Sequence, residues 1–138
     1  MTLRPYQLAG KDALRALYRS GKRRCVYQLA TGGGKTKTAC SMIADALARG
    51  RSTRVLVHRV ELVEQFEAAL AGAGIDGVPV SMVQTITRRL KTTAAPDFIV
   101  CDEAHNFLAA TFRRVIEAWP AAWVLGLTAT PARTDGRG

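Results

Sequence analysis

Apolar positions along this chain alternate between two rhythms. Residues 7–19, QLAGKDALRALYR, set Leu8, Leu14 and Leu17 at helical spacing, which predicts an amphipathic helix. The run CVYQLA, 25–30, is short, apolar and rich in strand formers, so it predicts a strand. A helix is expected over 35–49, ended by Gly50, and a strand over RVLVH, 54–58. Residues 60–71 read as a helix with Val60, Val63, Phe66 and Leu70 on one face, after which Gly72, Gly74 and Gly77 break the chain. VPVSMV, 78–83, predicts a strand, and Pro79, which has no N–H to donate, argues for a sheet edge or a strand start. DFIVCDE, 97–103, is a nearly continuous apolar run that ends in acids. A helix over 107–118 and a strand over AWVLGLTAT, 122–130, complete the pattern.

Strands therefore alternate with helices, and the strands carry apolar residues toward both faces. That pattern predicts an α/β fold with a mainly parallel sheet and helices on both of its faces. The 138 residues suffice for one domain with a real core. In such sheets ligands sit beyond the carboxyl ends of the strands, so the informative residues should follow each strand.

After the first strand comes TGGGKT, residues 31–36. Thr31, Gly32, Gly33 and Gly34 form a bare stretch whose N–H groups can converge on a phosphate, and the following helix N-terminus adds partial positive charge. Lys35 can then reach β- and γ-phosphates, and the Thr36 hydroxyl can ligate Mg²⁺. Side chains in place of the glycines would hold the phosphate oxygens away from the amides. The general phosphate-loop pattern has a glycine where this chain has Leu29. A glycine-rich turn joining a strand to a helix would read the same way up to this point.

The later strand FIVCDEAH decides between the two. It ends in Asp102 and Glu103, adjacent acids that are costly at a buried strand end without a cation beside them. Mg²⁺ would neutralise Asp102, while Glu103 could orient and deprotonate an attacking water. A phosphate loop upstream and an acidic strand end downstream in one α/β pattern are a nucleotide-hydrolysis constellation.

In this order ATGGGKT, DEAH and TAT resemble motifs I, II and III of the superfamily 2 helicases and translocases. LRPYQ near the start and LGLTATPARTDGRG at the end narrow the resemblance to the group holding DNA-repair helicases and restriction-enzyme motor subunits. The resemblance covers essentially the whole chain, and in that group Leu29 is an ordinary departure. It implies a three-layer RecA-like domain over residues 1–131, with ATP and Mg²⁺ as cofactors, and an interdomain linker beginning over 132–138.

The resemblance also carries roles onto single residues. Arg4, Tyr6 and Gln7 resemble the Q-motif, whose Gln reads the adenine edge; a side-chain amide has one donor side and one acceptor side to match it. The alternative is that Gln7 simply opens a helix. VLVHRVELVEQ resembles motif Ia, where His58 and Arg59 follow a strand and can hold a nucleic-acid phosphate; a surface charge and a loop imidazole are the plainer alternatives. SMVQTI resembles the segment that touches the nucleic-acid strand, which makes Ser81, Gln84 and Thr85 candidates. Arg88, Arg89 and Lys91 extend that basic run, although a charge run is usually a solvated face. His105, Thr128 and Thr130 resemble the residues that couple the γ-phosphate state to the nucleic-acid surface. The sequence has no second closely spaced His or Cys pair that would complete a zinc site with His105. Trp119 and Trp123 flank Pro120, where core packing is favoured over stacking on bases.

Charge and cysteines add to this. Twenty Lys and Arg against 11 Asp and Glu leave a net charge of +9, which suits a polyanionic partner, and nucleic acid, DNA for this group, is the one expected. Cys25, Cys40 and Cys101 are odd in number and far apart, so a disulfide framework is not expected and a reducing, cytoplasmic setting is. MTLRPYQLAG lacks a signal-peptide core, and no apolar run approaches the roughly 18 residues of a membrane helix.

The family couples two RecA-like domains, and the motifs of the second are not in this sequence. An arginine finger from such a domain is worth roughly 10³–10⁵ in rate, so the chain alone is expected to be a weak ATPase. Three readings follow: the ATP-binding half of a DNA helicase or translocase, the motor fragment of a restriction or repair nuclease, or a non-motor module that binds nucleotide and nucleic acid.

Overall fold

A computed structural model describes residues 5–28, 34–102 and 109–128. The elements are helix α1 (Pro5–Arg19), strand β1 (Arg24–Gln28), helix α2 (Lys35–Ala48), strand β2 (Thr53–Val57), helix α3 (Val60–Gly72), strand β3 (Val80–Met82), helix α4 (Val83–Arg88), strand β4 (Phe98–Asp102), helix α5 (Ala109–Ala118) and strand β5 (Trp123–Thr128). Among the described residues all four strand pairings are parallel, and the sheet order is β1-β5-β4-β2-β3.

Alternation along the strands fills a core on each face. Val55, Val57, Phe98, Val100, Leu125 and Leu127 join one buried cluster together with Leu14, Ile43, Phe66 and Leu70 from α1, α2 and α3. Leu56, Ile99, Cys101 and Val124 join the other, with Val83 and Ile86 from α4 and Phe112 and Val115 from α5. The chain is thus helix, sheet, helix in three layers, as the α/β pattern predicted. β4 is buried at every position, because it lies in the middle of the sheet with helices on both sides. β3 forms an edge, and Pro79 stands just before it, its carbonyl accepting the Val55 N–H at 2.9 Å. Proline is used where no ladder N–H is required.

Helix boundaries follow local chemistry. Proline opens α1, where an N–H has no intrahelical partner to lose. Gly50 has φ 76°, and its N–H and that of Arg51 bond the carbonyls of Leu47 and Ala46, closing α2 in a left-handed turn.

Three sequence expectations change. The α1 stripe of Leu8, Leu14 and Leu17 does not form the buried face: Leu14 is 3% exposed, but Leu8 and Leu17 are 48% and 39% exposed. Instead α1 turns Lys11, Leu14, Arg15 and Tyr18 toward the fold, because α2 offers it Asp45 and Ser41 as polar partners. Val60 is likewise 58% exposed, standing at the first residue of α3 where no neighbour covers it. The strand expected over 78–83 is only three residues long, and the chain then turns into α4. Val83, Ile86 and Leu90 carry helical spacing that the run of strand formers before them obscured; Val83 and Ile86 are buried and Leu90 packs against them.

Candidate functional site: the carboxyl end of the sheet

Strand order sets the site. β5 lies between β1 and β4, and the connections from β1 and β4 leave to opposite faces, toward α2 on one side and α5 on the other. This is a topological switch point, where an open α/β sheet leaves a crevice beyond its carboxyl ends.

Gly34 caps α2 with φ 77° and ψ 31°, a left-handed conformation that glycine adopts without the strain a Cβ would bring. The next residue, Lys35, begins the helix. Its Nζ donates to Asp102 Oδ1 at 2.7 Å, across 67 residues of chain. Both side chains are largely enclosed, at 18% and 5% exposure. Low solvent access strengthens this charge-assisted bond and makes either charge expensive without the other. Thr128 ends β5 and is 5% exposed. Asp102 is in register with Leu127, so Thr128 lies one residue beyond the acid on the neighbouring strand. Thr36 is half-buried in the first turn of α2.

Behind the acid, Cys101 is fully enclosed. Burial first, and then the neighbouring Asp102 charge, push its thiol up to about 12. The thiol therefore stays neutral and adds no second negative charge beneath Asp102.

A second group sits on the carboxyl ends of β2 and β3, beside β4. Arg59 caps α3 and is exposed, its Nε donating to His58 Nε2 at 3.2 Å. Gln84 Nε2 donates to the His58 carbonyl at 3.3 Å, tying α4 to the end of β2. Thr85 is half-buried on the same short helix. Ser81 is held from within: its hydroxyl accepts Arg54 Nη1 at 2.9 Å. Arg54 is a residue that sequence reasoning passed over. Burial lowers its pKa, and the signal was there, a lone arginine inside the strand TRVLV. Arg88, Arg89 and Lys91 are exposed.

The structure thus brings Lys35, Asp102 and Thr128 to neighbouring strand ends and gathers His58, Arg59 and Gln84 beside them. Arg4, Thr31, Gly32, Gly33, Glu103, His105 and Thr130 lie outside the described residues, as do the side chains of Tyr6 and Gln7 in the first turn of α1. Trp119 is a core residue at 6% exposure. Trp123 is half-buried, with Tyr18 edge-on to its ring and Arg23 over its face at 4.6 Å, so packing and not stacking on bases engages it.

The model of the type III restriction enzyme res subunit family matches residues 1–78 and 73–133. The chain belongs to this family. Its fold and motifs are those of the N-terminal RecA-like domain of the superfamily 2 helicases, a family of ATP-dependent motors. A Saccharomyces cerevisiae protein named "Putative ATP-dependent helicase IRC3" is 32% identical over 98% of this chain and 24% of its own length. The DNA 3'-5' translocase XPB2 of Sulfurisphaera tokodaii is 26% identical over 98% of this chain and 32% of its own length. The Sulfolobus solfataricus SWI2/SNF2 ATPase core, solved in complex with dsDNA, superposes with a TM-score of 0.74 over 98% of this chain and 33% of that one. At 19% identity that likeness concerns the fold. The chain spans about a quarter to a third of the length of these relatives. Among the described residues no helix is long and apolar enough to cross a membrane.

Proposed function

We propose that this chain is the ATP-binding RecA-like domain of an ATP-dependent DNA helicase or translocase. In this reading hydrolysis drives movement only when a second RecA-like domain closes over the nucleotide. The observation that carries it is the meeting of Lys35 and Asp102 at 2.7 Å beyond the carboxyl ends of β1, β5 and β4. A lysine at the start of a glycine-capped helix and an acid on a buried strand are the two charges that a nucleotide triphosphate and its metal require.

The residues suit Mg²⁺. Thr36 and Asp102 offer hydroxyl and carboxylate oxygens, the hard ligands this ion takes, and the enclosed Asp102 carboxylate already faces a cation in Lys35. Held by these residues, Mg²⁺ would supply neutralisation of the phosphate charge. Lys35 releases Asp102 and turns to the phosphates, while Gly32, Gly33 and Gly34 present N–H groups to them. Arg4, Tyr6 and Gln7 hold the adenine. Glu103 accepts a proton from the attacking water, and His105, Thr128 and Thr130 pass the state of the γ-phosphate to the nucleic-acid surface. His58, Arg59, Ser81, Gln84 and Thr85 form that surface and hold backbone phosphates, which suits the net charge of +9. The dsDNA bound by the SWI2/SNF2 core supports DNA as the partner.

The description of the matching family favours a restriction-enzyme motor as the particular setting. The motor chemistry is the same in either case.

Isothermal titration of Mg·ATP into the chain tests the reading. Binding is expected, and Lys35→Ala should weaken it by roughly 10- to 100-fold, the loss of one or more charge-assisted bonds to phosphate. Equal affinity in the two proteins would overturn the assignment.

A further inference from the structure

The amino end of the sheet, away from the ATP end, carries a cavity of about 230 Å³ between α1, the last turn of α2 and the first residues of β4 and β5. Its apolar wall is made by Met42, Phe98 and Trp123, and its rim by Arg19, Arg49 and Arg51. Trp123 is fixed in place, with Tyr18 edge-on and Arg23 over its ring, and the Tyr18 hydroxyl donates to the Val124 carbonyl at 2.6 Å. The wall is therefore preformed.

The charges are uneven. Asp45 also lines the cavity, but it is already taken by Lys11 at 2.9 Å and by Arg15. Arg19, Arg49 and Arg51 are exposed and have no acidic partner among the described residues. Three uncompensated guanidinium groups around an apolar wall match an anionic ligand with an apolar part. The volume falls below the roughly 300–1,000 Å³ of small-molecule and nucleotide sites, and it suits a single side chain.

We propose that this pocket docks an acidic peptide segment of a partner protein, one apolar side chain entering the cavity while flanking carboxylates engage Arg19, Arg49 and Arg51. Planar guanidinium groups pair bidentately with carboxylates, and an apolar anchor in a preformed pocket is the usual centre of such an interface. The site is independent of the ATP and nucleic-acid reading, because none of its residues belongs to that machinery.

Fluorescence anisotropy with the whole chain tests this. The probes are a short labelled Asp/Glu-rich peptide with a central Leu, the same peptide with a central Ala, and a single-stranded oligonucleotide of equal net charge. The Leu peptide should bind about tenfold tighter than the Ala peptide. Arg49→Glu with Arg51→Glu should abolish that binding. Arg113→Glu with Arg114→Glu makes the same change of charge at exposed positions of α5, on the other face of the sheet, and should leave binding within about twofold. Circular dichroism checks that each variant is folded. Absence of peptide binding, equal affinity for the two peptides, or equal weakening by both variant pairs would overturn the proposal. So would an oligonucleotide that binds more tightly than the Leu peptide and is lost with Arg49 and Arg51, which would make the face a nucleic-acid surface.

Discussion

Lys35 and Asp102 form an ion pair at 2.7 Å although 67 residues separate them. Lys35 begins α2, the helix after β1, and Asp102 ends β4, with β5 standing between β1 and β4. The pair bridges that gap because Lys35 starts the helix that leaves β1 on one face and its long side chain reaches over the strand ends. Removing Lys35 leaves the Asp102 carboxylate, 5% exposed, without that cation. Lys35→Ala should therefore lower stability by about 3 kcal/mol. Adding Asp102→Asn in the same chain should recover part of the loss, because the stranded charge is gone. Urea unfolding of the two single variants and the double variant measures the coupling; independent, additive effects would show that the pair is not coupled.

Glu103 follows Asp102 directly. Glu103→Gln keeps the shape of the side chain and removes the carboxylate proposed as the base. Mg·ATP affinity should change little, while hydrolysis in the complete motor should fall by roughly 10²-fold or more. Turnover that survives this substitution would assign the water-activating role elsewhere.

Arg59 is exposed at the start of α3 beside His58. If it holds a phosphate, Arg59→Ala should weaken single-stranded DNA equally for unrelated sequences and flatten the salt dependence by about one contact. Binding by one domain should be roughly micromolar or weaker at physiological salt, as for other non-specific contacts. Anisotropy over a salt series decides it, and an unchanged slope removes Arg59 from the track.

Asp45 joins α1 to α2 through Lys11 and Arg15. Burial raises its pKa, but the hydrogen bonds and charges of Lys11 and Arg15 outweigh this, and the net shift is downward. A carboxyl depressed in the folded state contributes stability above its unfolded pKa and loses it as pH falls through the folded value. Asp45→Asn should thus cost about 1 kcal/mol at neutral pH, on the scale of a partly exposed pair. The difference from the unaltered chain should close as pH drops below about 4. Thermal melts of both proteins across that range test it; a constant difference would mean that Asp45 acts through packing and not through charge.

Much of the candidate nucleotide site was legible before any fold was known, because its parts are local. The glycines before Lys35, the strand ahead of them, the helix after them and the acids closing DFIVCDE are each written in consecutive residues. Gly34 then takes the left-handed conformation that such a loop calls for. Even the edge position of β3 was marked locally, by Pro79.

Other features depend on which surfaces meet, and no single segment encodes that. Periodicity marks the stripe of Leu8, Leu14 and Leu17, but only the arrival of α2, with Asp45 and Ser41, turns Lys11 and Arg15 inward and leaves Leu8 and Leu17 in solvent. Arg54 reaches Ser81 because β2 and β3 are neighbours, and the same adjacency brings Gln84 to His58. The arginine-rimmed pocket joins residues from position 15 to position 123. The sequence by itself determined the strand–helix alternation, the residue types at each strand end and the family. Strand order and helix docking, set by the long-range burial of two apolar faces on one sheet, decided which of those strand ends meet and which charges are left without partners.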